Sequence, residues 1–169
     1  MKTTVLIVAT ILVFIIGGCT GTAPRSQPQS VPTIAVWNLE CLSIDSGIAE
    51  DMEDLLSGKI IETFQANGYE VVEREQLLLV LEELHLGSSK LASLSTQLEI
   101  GHLTGARWMV FGGYQEVAGQ LRLDLRIVDV ATSRILGAAE ETVVTNGNIM
   151  TVLATAESVT SKLLLNVAK

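Results

Sequence analysis

Few side chains in this 169-residue chain could carry covalent or metal chemistry, and they are scattered. Cys19 and Cys41 are the only thiols, and His85 and His102 are the only imidazoles. A zinc site needs three or four ligands held together, and these residues do not provide a recognisable set. If Cys19 is modified, Cys41 has no partner for a disulfide; we interpret it as a small apolar residue, with a reactive thiol as the alternative. We therefore expect no metal and no cofactor.

No group of titratable residues matches a catalytic centre. Glu73-Arg74-Glu75 could be two acids flanking a base, but helix-start carboxylates beside an ion-paired arginine explain the string more simply. His102 could act as a base, although the helix dipole alone favours a histidine near a helix C terminus. The strings GxGxxG, GxxxxGK and GxSxG are absent. The sequence thus predicts that the protein is not an enzyme.

Acidic side chains form one candidate contact surface at the start of a predicted helix. We assign Glu50, Asp51 and Asp54 to this surface, which would suit a basic partner. A solvated helix start, where the helix dipole favours negative charge, is the alternative. The whole chain has a formal net charge of −8 and an aromatic content of 4%, which argues against nucleic acid as a partner.

A second candidate surface lies on a predicted strand. Arg122, Asp124 and Arg126 alternate with apolar residues over residues 120–127. Because alternate residues of a strand share one face, these three charges should lie side by side. That face is either simply exposed or the contact surface of a neighbouring subunit, and the second interpretation would make the protein a homo-oligomer.

The first nineteen residues have the pattern of a secretory signal peptide. Lys2 provides a basic start, and residues 5–16 form an apolar run interrupted only by Thr10. The run ends in Ile16-Gly17-Gly18-Cys19. This end resembles the lipobox of bacterial lipoproteins, which implies a lipoprotein signal peptide at residues 1–18 and a lipid, such as palmitate, on Cys19. An uncleaved transmembrane helix is the alternative, but the run is short for a span of about 20 residues.

Residues 19–32 predict a lipidated tether between the anchor and a folded domain. All three prolines of the chain lie here, with no apolar periodicity. Residue 20 is a threonine, whereas the lipoprotein resemblance implies that an aspartate there would favour retention in the inner membrane. We therefore expect anchoring in the outer membrane, with the domain facing the periplasm.

Residues 33–169 predict one α/β domain with the order β-α-β-α-α-β-β-β-α. Crossover units followed by an antiparallel meander predict a three-layer mixed sheet. Ala118-Gly119 predicts a hairpin turn, and the broken alternation after Ile127 predicts a β-bulge. The predicted elements are the strand Thr33–Glu40, the helix Ala49–Ala66, the strand Tyr69–Glu73, the helices Arg74–Leu86 and Thr96–Leu103, the strands Arg107–Val117, Gln120–Val130 and Arg134–Val144, and the helix Asn148–Val167.

Four strings, in order behind the lipobox, resemble the CsgG-type family of outer-membrane lipoproteins. They are Ile34-Ala35-Val36, VVEREQL at residues 71–77, GHLTGA at residues 101–106, and RIVDVATSRIL at residues 126–136. The last string resembles the family pattern "R.vD..TG.il", with Ser133 where the family usually has glycine. The resemblance covers roughly residues 33–144 and implies a CsgG-like periplasmic domain behind a lipid anchor.

The chain departs from the pore-forming members of that family. Those members carry extra segments that pair into transmembrane hairpins, and each strand of such a hairpin needs about 9–11 alternating residues. The connections here are too short, so the resemblance implies a compact member without pore hairpins. We expect a non-enzymatic assembly or accessory protein for a cell-envelope or secretion system, with envelope proteins as partners. The alternative is a subunit of a CsgG-type oligomeric secretion or export ring.

Overall fold

The computed structural model describes residues 31–43, 49–84 and 93–167, without the side chains of residues 49–51. The signal peptide and Cys19 lie outside the described residues. The elements are β1 (Ile34–Val36), β2 (Glu40–Cys41), α1 (Ala49–Ala66), α2 (Arg74–Glu83), α3 (Leu94–Leu103), β3 (Trp108–Val117), β4 (Gln120–Asp129), β5 (Ile135–Val144) and α4 (Ile149–Val167). The mixed α/β class predicted from the sequence is confirmed.

The strands form one five-stranded sheet with the order β1-β3-β4-β5. β1 runs parallel to β3, and the short β2 pairs with β3 further along, opposite Gly113 and Tyr114. β3, β4 and β5 form the predicted antiparallel meander. The strand β5 is therefore one edge of the sheet.

The two predicted N-terminal strands are shorter than their patterns indicate. The first is divided into β1 and β2, because the chain leaves β3 after the amide of Trp37 donates to Val110 O and rejoins it at Glu40. The second is one parallel bridge between Val71 and Ile34. Hydrogen bonds from Ile34 N to Glu70 O and from Val72 N to Ile34 O flank this bridge, so the segment lies beside β1.

Helices cover the two faces of the sheet unequally. On one face, α1 and α4 bury the apolar stripe of β4 through residues such as Ile60, Phe64 and Leu163. On the other face, α2 and α3 cover a smaller area around Ala35 and Met109. Among the described residues, the layers are thus helix, sheet, helix, and the second helical layer covers only part of the sheet.

Turn residues adopt the conformations that their types predict. Gly68 lies just beyond the end of α1, and its φ of 83° is the left-handed conformation that commonly follows a helix C terminus. Ala118 and Gly119 both have positive φ, as a two-residue turn between twisted strands requires. The predicted irregularity after Ile127 is a register shift in the β4–β5 pairing at Ile127 and Val128.

The apolar face of α2 is only half buried. The sequence places Leu77, Leu78, Leu81 and Leu84 on one face, and Leu77 and Leu81 are indeed buried. Leu78 and Leu84 are instead 43% and 39% exposed. Among the described residues, α2 packs mainly against α3. This contact buries only part of the predicted apolar face.

Candidate functional site

The candidate site is the part of the sheet that α2 and α3 leave uncovered, which we call the open face. Arg122, Asp124 and Arg126 of β4 lie on it, as the alternation predicts, because the intervening leucines are buried on the α1–α4 side. The neighbouring strands add Phe111, opposite Arg126, and Glu140, opposite Asp124. The sequence did not indicate these two residues, since only the strand register reveals them.

Arg122 holds together two acids that would otherwise repel each other. Asp124 and Glu140 are direct cross-strand partners, and like charges in that position are destabilising. The Arg122 guanidinium contacts Asp124 Oδ1 at 2.9 Å and Glu140 Oε2 at 2.7 Å. Hydrogen bonding to Asp124, supported by Glu140, raises the pKa of Arg122 above its ordinary value. Arg122 is therefore engaged in ion pairs within the chain.

Arg126 is the cation on the open face that is available to a partner. Its guanidinium carbon lies 5.7 Å from the centre of the Phe111 ring, within the range of a cation–π contact. Within the described part of the chain, no carboxylate forms an ion pair with Arg126. Its N–H groups can therefore donate to a partner's carboxylates or carbonyls.

A groove of about 730 Å³ runs across the open face and around β5. Trp37 and Phe111 line one end, and Ala138 and Glu140 line the side formed by β5. Its flat floor includes Gly113, opposite Asp124. The glycines at 112 and 113 do not mark a bulge, because the β3–β4 register continues through both. They leave space for Leu39, Leu125 and Leu42 of the same chain.

The acidic surface predicted on α1 is partly engaged within the chain. Arg74 Nη1 donates to Asp54 Oδ1 at 2.7 Å, and Arg74 Nη2 lies 3.6 Å from the buried Glu53. Arg74 is thus an ion-pair partner that links the start of α2 to α1. Glu50 and Asp51 belong to the first turn of α1, but their side chains lie outside the described residues.

The other side chains that could take part in chemistry lie where packing or the helix dipole explains their presence. Cys41 is free and half-buried against the main core. Burial and a hydrogen bond with Cys41 raise the pKa of Tyr114. His102 lies in the last turn of α3, where the helix dipole favours it.

Within residues 31–43, 49–84 and 93–167, no three metal-ligating side chains are clustered. None of the helices in that range combines the length and apolarity needed to cross a membrane.

Comparison with known proteins gives a family match over more than half of the chain. The model of the family described as "Curli production assembly/transport component CsgG" matches residues 20–116. This range ends within β3, so most of the open face lies beyond it. No curated protein matches the sequence in a direct comparison.

Several solved structures share the fold at low sequence identity. The C-terminal domain of LpoB from Salmonella enterica is 17% identical with a TM-score of 0.55, covering 69% of this chain and 86% of that one. Lipoprotein GNA1162 from Neisseria meningitidis is 13% identical with a TM-score of 0.54, covering 82% and 97%. The PelC dodecamer from Paraburkholderia phytofirmans is 14% identical with a TM-score of 0.52, covering 81% and 87%.

Proposed function

Because this chain belongs to the CsgG family of curli production assembly/transport components, we propose that it is a cell-envelope lipoprotein that works by binding other proteins. Its role is that of a non-enzymatic assembly or accessory component of an envelope or secretion system. The observation that carries this proposal is the open face, the part of the sheet that α2 and α3 leave uncovered. A groove crosses this face, and Arg126 in it has its N–H groups available to a partner.

The anchor is the second part of the proposal. Residues 1–18 are removed, Cys19 carries lipid, and residues 19–32 connect it to β1. An extended tether of this length reaches at most about 50 Å, so the domain stays close to the periplasmic surface of the outer membrane. The lipobox and the fold shared with the lipoprotein GNA1162 support this placement.

A ring of identical subunits is a second candidate. The observation that favours it is the PelC structure, which shares this fold and is a dodecamer. In that arrangement the open face would contact a neighbouring copy of the chain.

A charge reversal at Arg126 tests the proposed role of the open face. Arg126→Glu should abolish chemical cross-linking of the lipidated protein to its partner in isolated membranes. The melting temperature should change little, because the exposed cation–π contact contributes about 0.5–1 kcal/mol. Arg134→Glu is the matched control, since Arg134 is also exposed but lies in the β4–β5 turn. Unchanged cross-linking in Arg126→Glu would contradict the proposal.

Arg122 is the wrong position for this test. Reversing its charge would remove the cation that holds Asp124 and Glu140 together and would weaken the sheet as well as any interface. Light scattering of the purified lipidated protein then separates the two candidates. A ring has many times the monomer mass, and Arg126→Glu should reduce it to the monomer mass. An accessory protein has the same mass with and without the substitution.

A further inference from the structure

The edge of the sheet formed by β5 has unpaired backbone groups along much of its length. In an antiparallel pair, residues point their N–H and C=O alternately toward and away from the partner strand. Thr145 N donates to Gly119 O at 2.8 Å. The odd-numbered residues of this segment therefore direct their backbone N–H and C=O groups toward β4. Ala138, Glu140, Thr142 and Val144 therefore direct their backbone groups outward.

One intramolecular contact marks the end of the free edge. Asn166 Nδ2 at the end of α4 donates to Ala138 O at 2.9 Å, which confirms that this carbonyl points outward. Within the described residues, no backbone partner lies on the outer side of Glu140, Thr142 or Val144. The free edge is thus the stretch from Glu140 to Val144.

This edge lacks most of the features by which proteins prevent strand pairing. The strand is ten residues long and contains neither proline nor lysine, and its register with β4 is regular from Gly137 onward. The groove also extends around the edge. It is lined by Ala138 and Glu140 on the open face, and by Ala139, Lys162 and Leu165 on the α4 side. An added strand would therefore have space for its side chains on both faces.

We propose that β5 pairs through Glu140–Val144 with an extended, basic segment of a partner protein, which adds a sixth strand to the sheet. The inference rests on the proposed function and names its interface and partner chemistry. The acids of β5 are Glu140 and Glu141, and the strand has no basic residue. Glu141 pairs with Lys162 of α4, and Arg122 contacts Oε2 of Glu140. A lysine or arginine opposite Glu140 would pair with its Oε1, and the net charge of −8 would attract such a segment.

The net charge disfavours a second copy of the chain as the occupant. An antiparallel β5–β5 pair centred on Thr142 would place Glu140 and Glu141 opposite Val144 and Val143 of the other copy, so neither acid would gain a basic partner. Two copies that each carry a formal net charge of −8 also repel each other. The length of β5 and the groove would suit a second copy of the chain as well as a partner segment. The net charge is therefore the observation that favours a basic partner segment.

The test uses the full mature chain in detergent micelles and synthetic peptides as probes. One blocked peptide alternates lysine with valine, a second alternates glutamate with valine, and a third is the lysine peptide N-methylated at alternate residues. With the lysine peptide at about ten times its Kd, the amides of Glu140, Thr142 and Val144 should exchange about tenfold more slowly. The acidic and N-methylated peptides should give no such protection.

A matched pair of variants checks the backbone requirement. The amide of Thr142 points outward, so Thr142→Pro removes an edge donor without removing a hydrogen bond to β4. It should retain the wild-type fold and lose the protection by the lysine peptide, whereas Thr142→Val should keep it. If Thr142→Pro does not fold, the N-methylated peptide on the wild-type protein provides the same test.

Three results would overturn the inference: no protection by the lysine peptide, equal protection by either control peptide, or protection that depends on protein concentration without peptide. The last result would assign the edge to a second copy. Failure here is distinct from failure of the proposed function, because the Arg126→Glu experiment uses the native partner and a side chain rather than the edge backbone.

Discussion

At the scale of single residues, the turn between β4 and β5 explains one of the family-like strings. Asp129 Oδ1 accepts hydrogen bonds from the amide and the hydroxyl of Thr132, each at 2.8 Å. These bonds, the hydroxyl first, lower the pKa of Asp129. Ser133 follows with a φ of 57°. The Asp–Thr spacing thus builds the turn, and the next position requires the left-handed conformation that glycine adopts most easily.

We expect Ser133→Gly to stabilise the fold. The left-handed conformation costs a non-glycine residue about 1–2 kcal/mol, and the greater freedom of glycine in the unfolded chain cancels part of the gain. The net increase in the free energy of unfolding should be about 0.5–1 kcal/mol, measured by urea denaturation. Ser133→Ala is the control and should give no increase. Equal stabilisation by both variants would show that backbone conformation is not the cause.

The sequence predicted three of the five charged or aromatic side chains that we place on the open face. The alternation of β4 was sufficient to place Arg122, Asp124 and Arg126 together. Glu140 and Phe111 could not be assigned, because their contacts depend on the pairing register of three strands, and register depends on turns and bulges that composition does not specify.

At the scale of elements, the central strand β3 depends on close packing at its glycines. A Cβ atom on Gly112 would meet the backbone oxygen of Asp124 and the side chains of Leu125 and Leu39. The oxygen belongs to the β4 backbone and cannot move aside without disturbing the strand pairing. The glycine at this position therefore allows β3 to pack closely against β4 and Leu39.

The variants Gly112→Ala and Gly58→Ala should have opposite effects on stability. Gly112→Ala should destabilise the fold by about 1–3 kcal/mol through overpacking. Gly58 lies on the exposed side of α1 with no atom within 4 Å of an added Cβ. Replacing it should stabilise the helix by up to about 1 kcal/mol. The midpoints of urea unfolding, at constant slope, give both values. A neutral Gly112→Ala would refute the close-packing explanation.

The long periodic elements were predictable, whereas the short strands were not. Apolar spacing located α1 and α4 almost to the residue, since each buries a continuous stripe. The segment at residues 69–73 has the composition of a strand, but among the described strands its backbone pairs only with the three-residue β1. Its length is therefore limited by its partner and not by its own residues, which a single sequence cannot reveal.

At the scale of the whole molecule, the domain is a sheet with complete cover on one face and partial cover on the other. The α1–α4 side closes the core, while the open face, the groove and the β5 edge lie together on the remaining surface. In the proposed arrangement a lipid on Cys19 and a tether that enters at β1 present this surface within the periplasm. In that arrangement, residues 1–32 determine where the protein lies and the domain contacts the partner.

In the proposed function, the anchored protein contacts its partner through the open face. The most direct measurement is photo-cross-linking in intact cells with benzoylphenylalanine in place of either Glu140 or Glu62. These side chains are equally exposed, at 68% and 69%, but Glu62 lies on α1. We predict a discrete cross-linked product from position 140, none from position 62, and loss of the product when Cys19→Ser prevents lipidation. Equal products from both positions, or a product from position 62 alone, would contradict the proposal that the partner contacts the open face.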